Sequence, residues 1–177
     1  MKKINLISFF VFISALLFLI GCNRCKEETE TAAFNKKSVN ELIDKFHKAA
    51  SKADEKEYFG CMSAGSYYLG TASEELWTKE EFRAYCKPYF SKGRGWTYTP
   101  KDRQVSFSVD GKNAWFFERL FNDRYGELRG SGILTLEEGG WKISQYNMAF
   151  VVPNNVSGKV VEIIKTPVKA EKETDGE

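Results

Sequence analysis

The sequence predicts an α+β domain, and three observations predict it. From Ser38 to Ala53 the apolar residues fall at helical spacing, and a second helical stretch opens at Thr78. Beyond Gly93-Arg94-Gly95 the apolar period drops to two and stays there until Val151. Glycine-bearing turns at Asp110-Gly111 and Gly139-Gly140 punctuate that second half. Helices first and strands after imply helices packed on one face of a curved antiparallel sheet.

The chain opens on a different kind of segment. Lys2 and Lys3 precede an apolar run from Ile4 to Ile20, which ends at Leu19-Ile20-Gly21-Cys22 before a polar stretch. A positive start, an apolar middle and a small residue at the cut follow the grammar of a secretory signal. The run sits at the lower limit for a helix that crosses a bilayer. Leu-Ile-Gly-Cys resembles the bacterial lipobox, which implies cleavage before Cys22 and lipidation of its thiol. Residues 1–21 are thus expected as signal peptide and 22–38 as a charged tether. The domain itself is expected over 39–155, with 156–177 as an extension whose charged end, from Lys165, lacks any apolar pattern.

The first helix is expected to start at Ser38, with Glu41 completing a capping box, and to end near Lys56 to Gly60. Its apolar stripe is Leu42, Ile43, Phe46, Ala49, Ala50 and Ala53. Cys61 to Thr71 has no clear period, and Tyr67 to Thr71 reads as a short strand. Thr78 and Glu81 form the second capping box, ahead of Phe82, Tyr85 and Cys86 facing inward. Four strands follow, at Trp96–Val109, Lys112–Phe121, Leu128–Leu136 and Trp141–Val151, with a hairpin at Asp110-Gly111.

Charge and cysteines narrow the partners. The chain holds 26 Lys+Arg against 24 Asp+Glu. Loss of Lys2 and Lys3 with the signal leaves a formally neutral protein without a basic stripe, which argues against nucleic acid. Three cysteines remain beside Cys22, and Cys61–Cys86 is the pair a disulfide would join in an oxidising compartment, the alternative being free thiols. With no CxxC pair or Cys/His cluster, neither a metal nor another cofactor is expected.

Several stretches, taken in order, resemble the SnoaL-like domains of the nuclear transport factor two-like superfamily. They are Phe46-His47-Lys48-Ala49-Ala50, Leu69-Gly70-Thr71 with Glu75-Leu76-Trp77, Gly95-Trp96-Thr97-Tyr98, Ala114-Trp115-Phe116-Phe117-Glu118, Arg129-Gly130-Ser131-Gly132 and Trp141-Lys142-Ile143. The resemblance implies a cone-shaped sheet wrapping the helices, with an internal pocket. It implies no single activity, because the fold carries isomerases, dehydratases, hydrolases and proteins without a known reaction. Many such sequences place histidines after Trp-Lys-Ile, where this chain has Gln145 and Asn147; neither amide takes a proton at neutral pH.

Candidate site residues follow from strand parity and the resemblance together. Period two puts Gln145 and Asn147 on the face of Trp141 and Ile143, hence into the cone, where either a ligand or a neighbouring strand must pair them. Glu118 alternates with Arg119; the bent sheet implied by the resemblance turns Glu118 inward, where burial should raise its pKa and make it a base. The competing role for Glu118 is a salt bridge to Arg103 or Arg129. His47, the only histidine, is either a packing residue or a base paired with Asp54. Trp77, Tyr98 and Phe116 are expected as aromatic pocket lining, with Arg103 or Arg129 to hold a ligand carboxylate. The leading expectation is an envelope lipoprotein, anchored in a membrane through Cys22, that binds a small apolar or carboxylate-bearing ligand or a protein partner without catalysis. The alternatives are a cofactor-free isomerase, dehydratase or hydrolase using Glu118 or His47, and a homodimer formed through the outer aromatic face of the sheet.

Overall fold

The computed structural model describes residues 36–166. Helix α1 (36–51) is already formed at its first described residue, so Ser38 lies within the helix instead of capping it. Val39, Ile43, Phe46 and Ala50 recur at helical spacing and are buried, which fixes the face that α1 presents to the sheet. Its end comes earlier than the sequence suggests. Ala53 takes a left-handed conformation (φ 52°), its N–H donates to Ala50 O, and Asp54 N–H donates to Ala49 O at 2.9 Å. That pair of bonds is a Schellman stop. Asp54 then caps a separate helix, α2 (Glu55–Gly60), by accepting from Glu57 N–H at 3.0 Å.

Chain 62–69, expected to be mostly irregular, is strand β1 (Met62–Leu69), followed by β2 (Leu76–Thr78) and helix α3 (Lys79–Phe90). The Thr78–Glu81 capping box is present, and Phe82, Cys86 and Phe90 are buried. Tyr85, expected inward with them, is 45% exposed. The long strands are β3 (Thr99–Phe107), β4 (Asn113–Asn122), β5 (Gly126–Glu137) and β6 (Gly140–Phe150), and helix α4 (Ser157–Lys165) closes the described chain with no buried residue. The expected turns at Asp110-Gly111 and Gly139-Gly140 carry glycines at positive φ, the conformation such turns require.

The six strands form one curved, unclosed sheet in the order β2-β1-β6-β5-β4-β3. β3 to β6 run as an antiparallel meander, whereas β1 joins β6 in parallel. Three irregularities bend it: in β1 between Met62 and Tyr67, in β3 between Lys101 and Gln104, and in β6 at Ser144, which the ladder skips between Ile143 and Gln145. Bulges increase local twist and re-aim side chains, and here they place one concave face against α1 and α3. The core on that face joins Ile43 and Phe46 to Phe116, Leu120, Leu128, Ile143 and Tyr146. The opposite face leaves Trp115, Phe117, Phe121 and Ile133 exposed.

Both described cysteines are buried and unbonded. The Cys61–Cys86 disulfide is therefore absent, and burial pushes the thiols up to about 11 and about 12 respectively. Cys22 and Cys25 lie outside the described residues. Among the described residues no helix is long and apolar enough to cross a membrane.

Candidate functional site

Two features occupy the concave face: a buried ionic network beneath α1 and an aromatic cavity beyond it. The network begins with strand parity. Ala114, Phe116, Glu118 and Leu120 alternate inward along β4, so Glu118 is only 1% exposed. On β3 the bulge at Asp102, whose φ is 50°, shifts parity and turns Arg103 inward with Val105 and Phe107. From above, α1 supplies Asn40, Asp44 and His47 at helical spacing.

These groups meet. His47 Nε2 lies 2.6 Å from Glu118 Oε1, and Arg103 Nε donates to Glu118 Oε2 at 2.7 Å. Arg103 Nη1 reaches Asp44 Oδ1 at 2.8 Å and donates to the Asn40 carbonyl oxygen at 3.2 Å. Burial alone would raise the Glu118 pKa, but the His47 hydrogen bond and charge, then the Arg103 guanidinium, outweigh it and hold the carboxyl below its ordinary range. The direction is opposite to the one expected from burial. Glu118 is a partnered carboxylate, and of the two arginines proposed for it the structure selects Arg103.

The remaining candidates are redistributed. His47 pairs with Glu118, because Asp54 is the cap of α2 and faces another part of the chain. Gln145 and Asn147 do not enter the cone. The extra residue Ser144 resets parity, so Tyr146 and Met148 point inward, while Gln145 and Asn147 share the outer face with Tyr67 and Ile133. The Ser144 hydroxyl donates to Ile133 O at 3.1 Å and anchors the bulge. Arg129 is exposed, opposite Arg119 on β4, and can hold no ligand in the cone. Phe116 is buried in the core against Tyr146.

Trp77 and Tyr98 do line a cavity, of about 230 Å³, between α3, β1, β2 and the ends of β5 and β6. Tyr68, Phe82, Tyr85, Trp96, Tyr125, Leu128, Met148 and Phe150 complete its walls, with Gly70, Thr71 and Glu75 on the loop before β2. The sequence reading missed most of them. Tyr68 stacks on Phe82 with ring centroids 3.7 Å apart, and Trp77 on Tyr85 at 4.8 Å. Burial raises Tyr98 to about 12, with Tyr125, Tyr85 and Glu75 adding to it.

Tyr146 stands between the two features. Its ring stacks on Tyr68 of the cavity wall (5.4 Å) and meets His47 edge-on (6.2 Å). Its buried hydroxyl has no hydrogen-bond partner, and its pKa is driven up, first by burial and then by Glu118. Among the described residues no group of His, Cys, Asp and Glu is arranged to hold a metal ion.

The comparisons with known proteins agree on the fold. The family model described as the SnoaL-like domain matches residues 39–153. No curated protein matches. A solved protein of unknown function with a cystatin-like fold from Nostoc punctiforme is 17% identical with a TM-score of 0.56, covering 69% of this chain and 94% of that one. An NTF2-like protein of unknown function from Pseudomonas putida is 11% identical with a TM-score of 0.57, covering 71% and 92%. A candidate scytalone dehydratase from Novosphingobium aromaticivorans is 10% identical with a TM-score of 0.59, covering 70% and 89%. At such identities these structures speak to the fold alone. The curved sheet around its N-terminal helices and the family match from residue 39 to 153 lead to one assignment: the chain belongs to the SnoaL-like domain family.

Proposed function

We propose that this protein is a non-catalytic binding module that receives a small ligand, one with apolar surface to set against the rings, in the aromatic cavity. The observation that carries this reading is the division of labour on the concave face. The cavity offers aromatic faces from β1, β2, α3, β6 and the loops beside them, whereas His47 and both oxygens of Glu118 are engaged with buried partners. A base must be free to take a proton from a substrate, and Glu118 is held as an ion by groups that would have to be displaced. A ligand carboxylate is disfavoured, since Arg103 is already paired and the charged side chain of the wall is Glu75.

The test is a titration of the full chain carrying 13C-methyl methionine. Met148 lines the cavity, while Met62 is a buried core control. Indole, as the probe, should shift the Met148 signal by ring current and leave Met62 in place, and Trp77→Ala should weaken that response. A Met148 signal unmoved by millimolar indole would count against the reading.

We further propose that the module is held at a bacterial membrane, facing outside the cytoplasm, by lipid on Cys22. The support is the Leu19-Ile20-Gly21-Cys22 motif behind an apolar run. Cys22→Ala should abolish incorporation of labelled palmitate; incorporation that persists would reject the anchor.

One observation favours an enzymatic alternative, a dehydratase or isomerase. The unpaired Tyr146 hydroxyl places a donor one ring away from the cavity, beside the His47–Glu118 pair. That reading requires His47→Gln to abolish turnover while cavity binding persists.

A further inference from the structure

We propose that the ligand of the aromatic cavity is a small organic cation with a methylated ammonium head. The inference rests on the binding reading above and names the ligand's chemical class. Aromatic faces carry negative quadrupolar charge and attract cations, most strongly where water is excluded. Four kinds of observation converge on this cavity.

First, its walls are rings: Tyr68, Trp77, Phe82, Tyr85, Tyr98 and Tyr125. Second, Glu75 is the charged member of the lining, and no Lys or Arg of the described residues joins it there. Third, the loop fixes that carboxylate in place. Glu75 Oε2 accepts from Ala72 N–H at 3.0 Å, and Gly70 N–H donates to Glu75 O at 2.8 Å. Gly70 is needed for this closure, since a Cβ there would collide with the Glu75 side chain. Fourth, the field of Glu75 reaches the walls: Tyr68, Tyr85 and Tyr98 are each pushed upward, by burial first and by Glu75 among the further causes.

The rim already shows what these rings attract. The Arg124 guanidinium lies over the Tyr125 ring, 5.3 Å from its centroid. A primary ammonium would lose strong hydration on entry, whereas a methylated head presents apolar surface to the rings and keeps its charge for Glu75. Anions face both the carboxylate and the ring faces.

The probes are choline, tetramethylammonium and 3,3-dimethylbutan-1-ol, the uncharged isostere of choline. Binding is followed at the Met148 methyl of the full chain at constant ionic strength. Choline should bind about tenfold more tightly than the isostere. Glu75→Gln keeps an oxygen for Ala72 N–H and should bring the two within about threefold of each other. Equal affinities in the parent protein, or a choline preference untouched by Glu75→Gln, would overturn the proposal. If indole moves Met148 and neither choline nor tetramethylammonium does, the cavity still binds and the cation assignment is wrong. If none of the probes moves it, both readings fall.

Discussion

Glu118 is buried between a histidine and an arginine, and the consequences of losing it follow from what it leaves behind. In Glu118→Gln the Arg103 guanidinium stays 9% exposed with only Asp44 and Asn40 to offset its charge. Breaking a buried pair by removing one partner costs about 3–5 kcal/mol, because the other charge remains uncompensated. Urea unfolding at neutral pH should show a loss of that order. The pH dependence has a definite sign. The folded-state pKa of Glu118 is lowered, so its contribution is present above the unfolded carboxylate value and lost as pH falls through the folded one. The parent should lose stability on acidification below the ordinary carboxylate range, and Glu118→Gln should lose less over that interval. Equal acid slopes would remove Glu118 from the balance. Tyr146 makes the opposite prediction. Its buried hydroxyl has no partner, and leaving such a group unsatisfied costs about 1–3 kcal/mol. Tyr146→Phe should therefore be more stable than the parent, by roughly 1 kcal/mol in the free energy of urea unfolding; a clear destabilisation would mean that the hydroxyl is bonded.

Elements differ in how openly their sequence announces them. The capping box at Thr78–Glu81 and the period-two strands were legible, because a cap and an alternation are local signals. The end of α1 was not, because an alanine occupies the left-handed position that usually carries glycine. An L-residue there costs about 1–2 kcal/mol, so Ala53→Gly should raise stability by about 1 kcal/mol, less whatever packing the methyl contributes. β6 was misread for a related reason: Ser144 adds one residue, and one residue inverts the facing of everything beyond it. Nothing in Ser144-Gln145 distinguishes a bulge from a regular strand, so Tyr146 and Met148 went unnoticed. The neighbouring strand makes the geometry testable. A Cβ on Gly132 would sit 2.4 Å from Gln145 O and 2.8 Å from Phe116 Cε1. Gly132→Ala should cost about 1–3 kcal/mol by overpacking, whereas Gly65→Ala, with nothing within 4 Å, is the matched control expected to be neutral. Similar midpoints for the two variants would contradict the register.

The described residues form one cone, its chemistry divided between a largely buried ionic network, with Asp44 at its exposed edge, and an aromatic cavity. The family resemblance carried the architecture from the sequence. The site was only half legible, since it is assembled from α3, both short strands and the far ends of β5 and β6, which no local pattern links. The cysteines offer a measure of how tightly the cone is closed. Cys61 follows α2 at the start of the sheet, and Cys86 is on α3 facing the core; they are 1% and 0% exposed. Their thiols are pushed up to about 11 and about 12 by burial, so little thiolate exists at neutral pH in the closed state. Alkylation then requires opening, and its rate is the unfolded-chain rate multiplied by the open fraction. For a domain of ordinary stability, about 5 kcal/mol or more, both sites should react with iodoacetamide at least about a thousandfold more slowly in buffer than in urea. Peptide mass spectrometry reads Cys61 and Cys86 separately. Because Cys61 borders the sheet and Cys86 lies on the helix that walls the cavity, equal protection would mean that α3 and the sheet open together. Faster labelling at Cys86 would show α3 opening on its own, which would widen the way into the aromatic cavity.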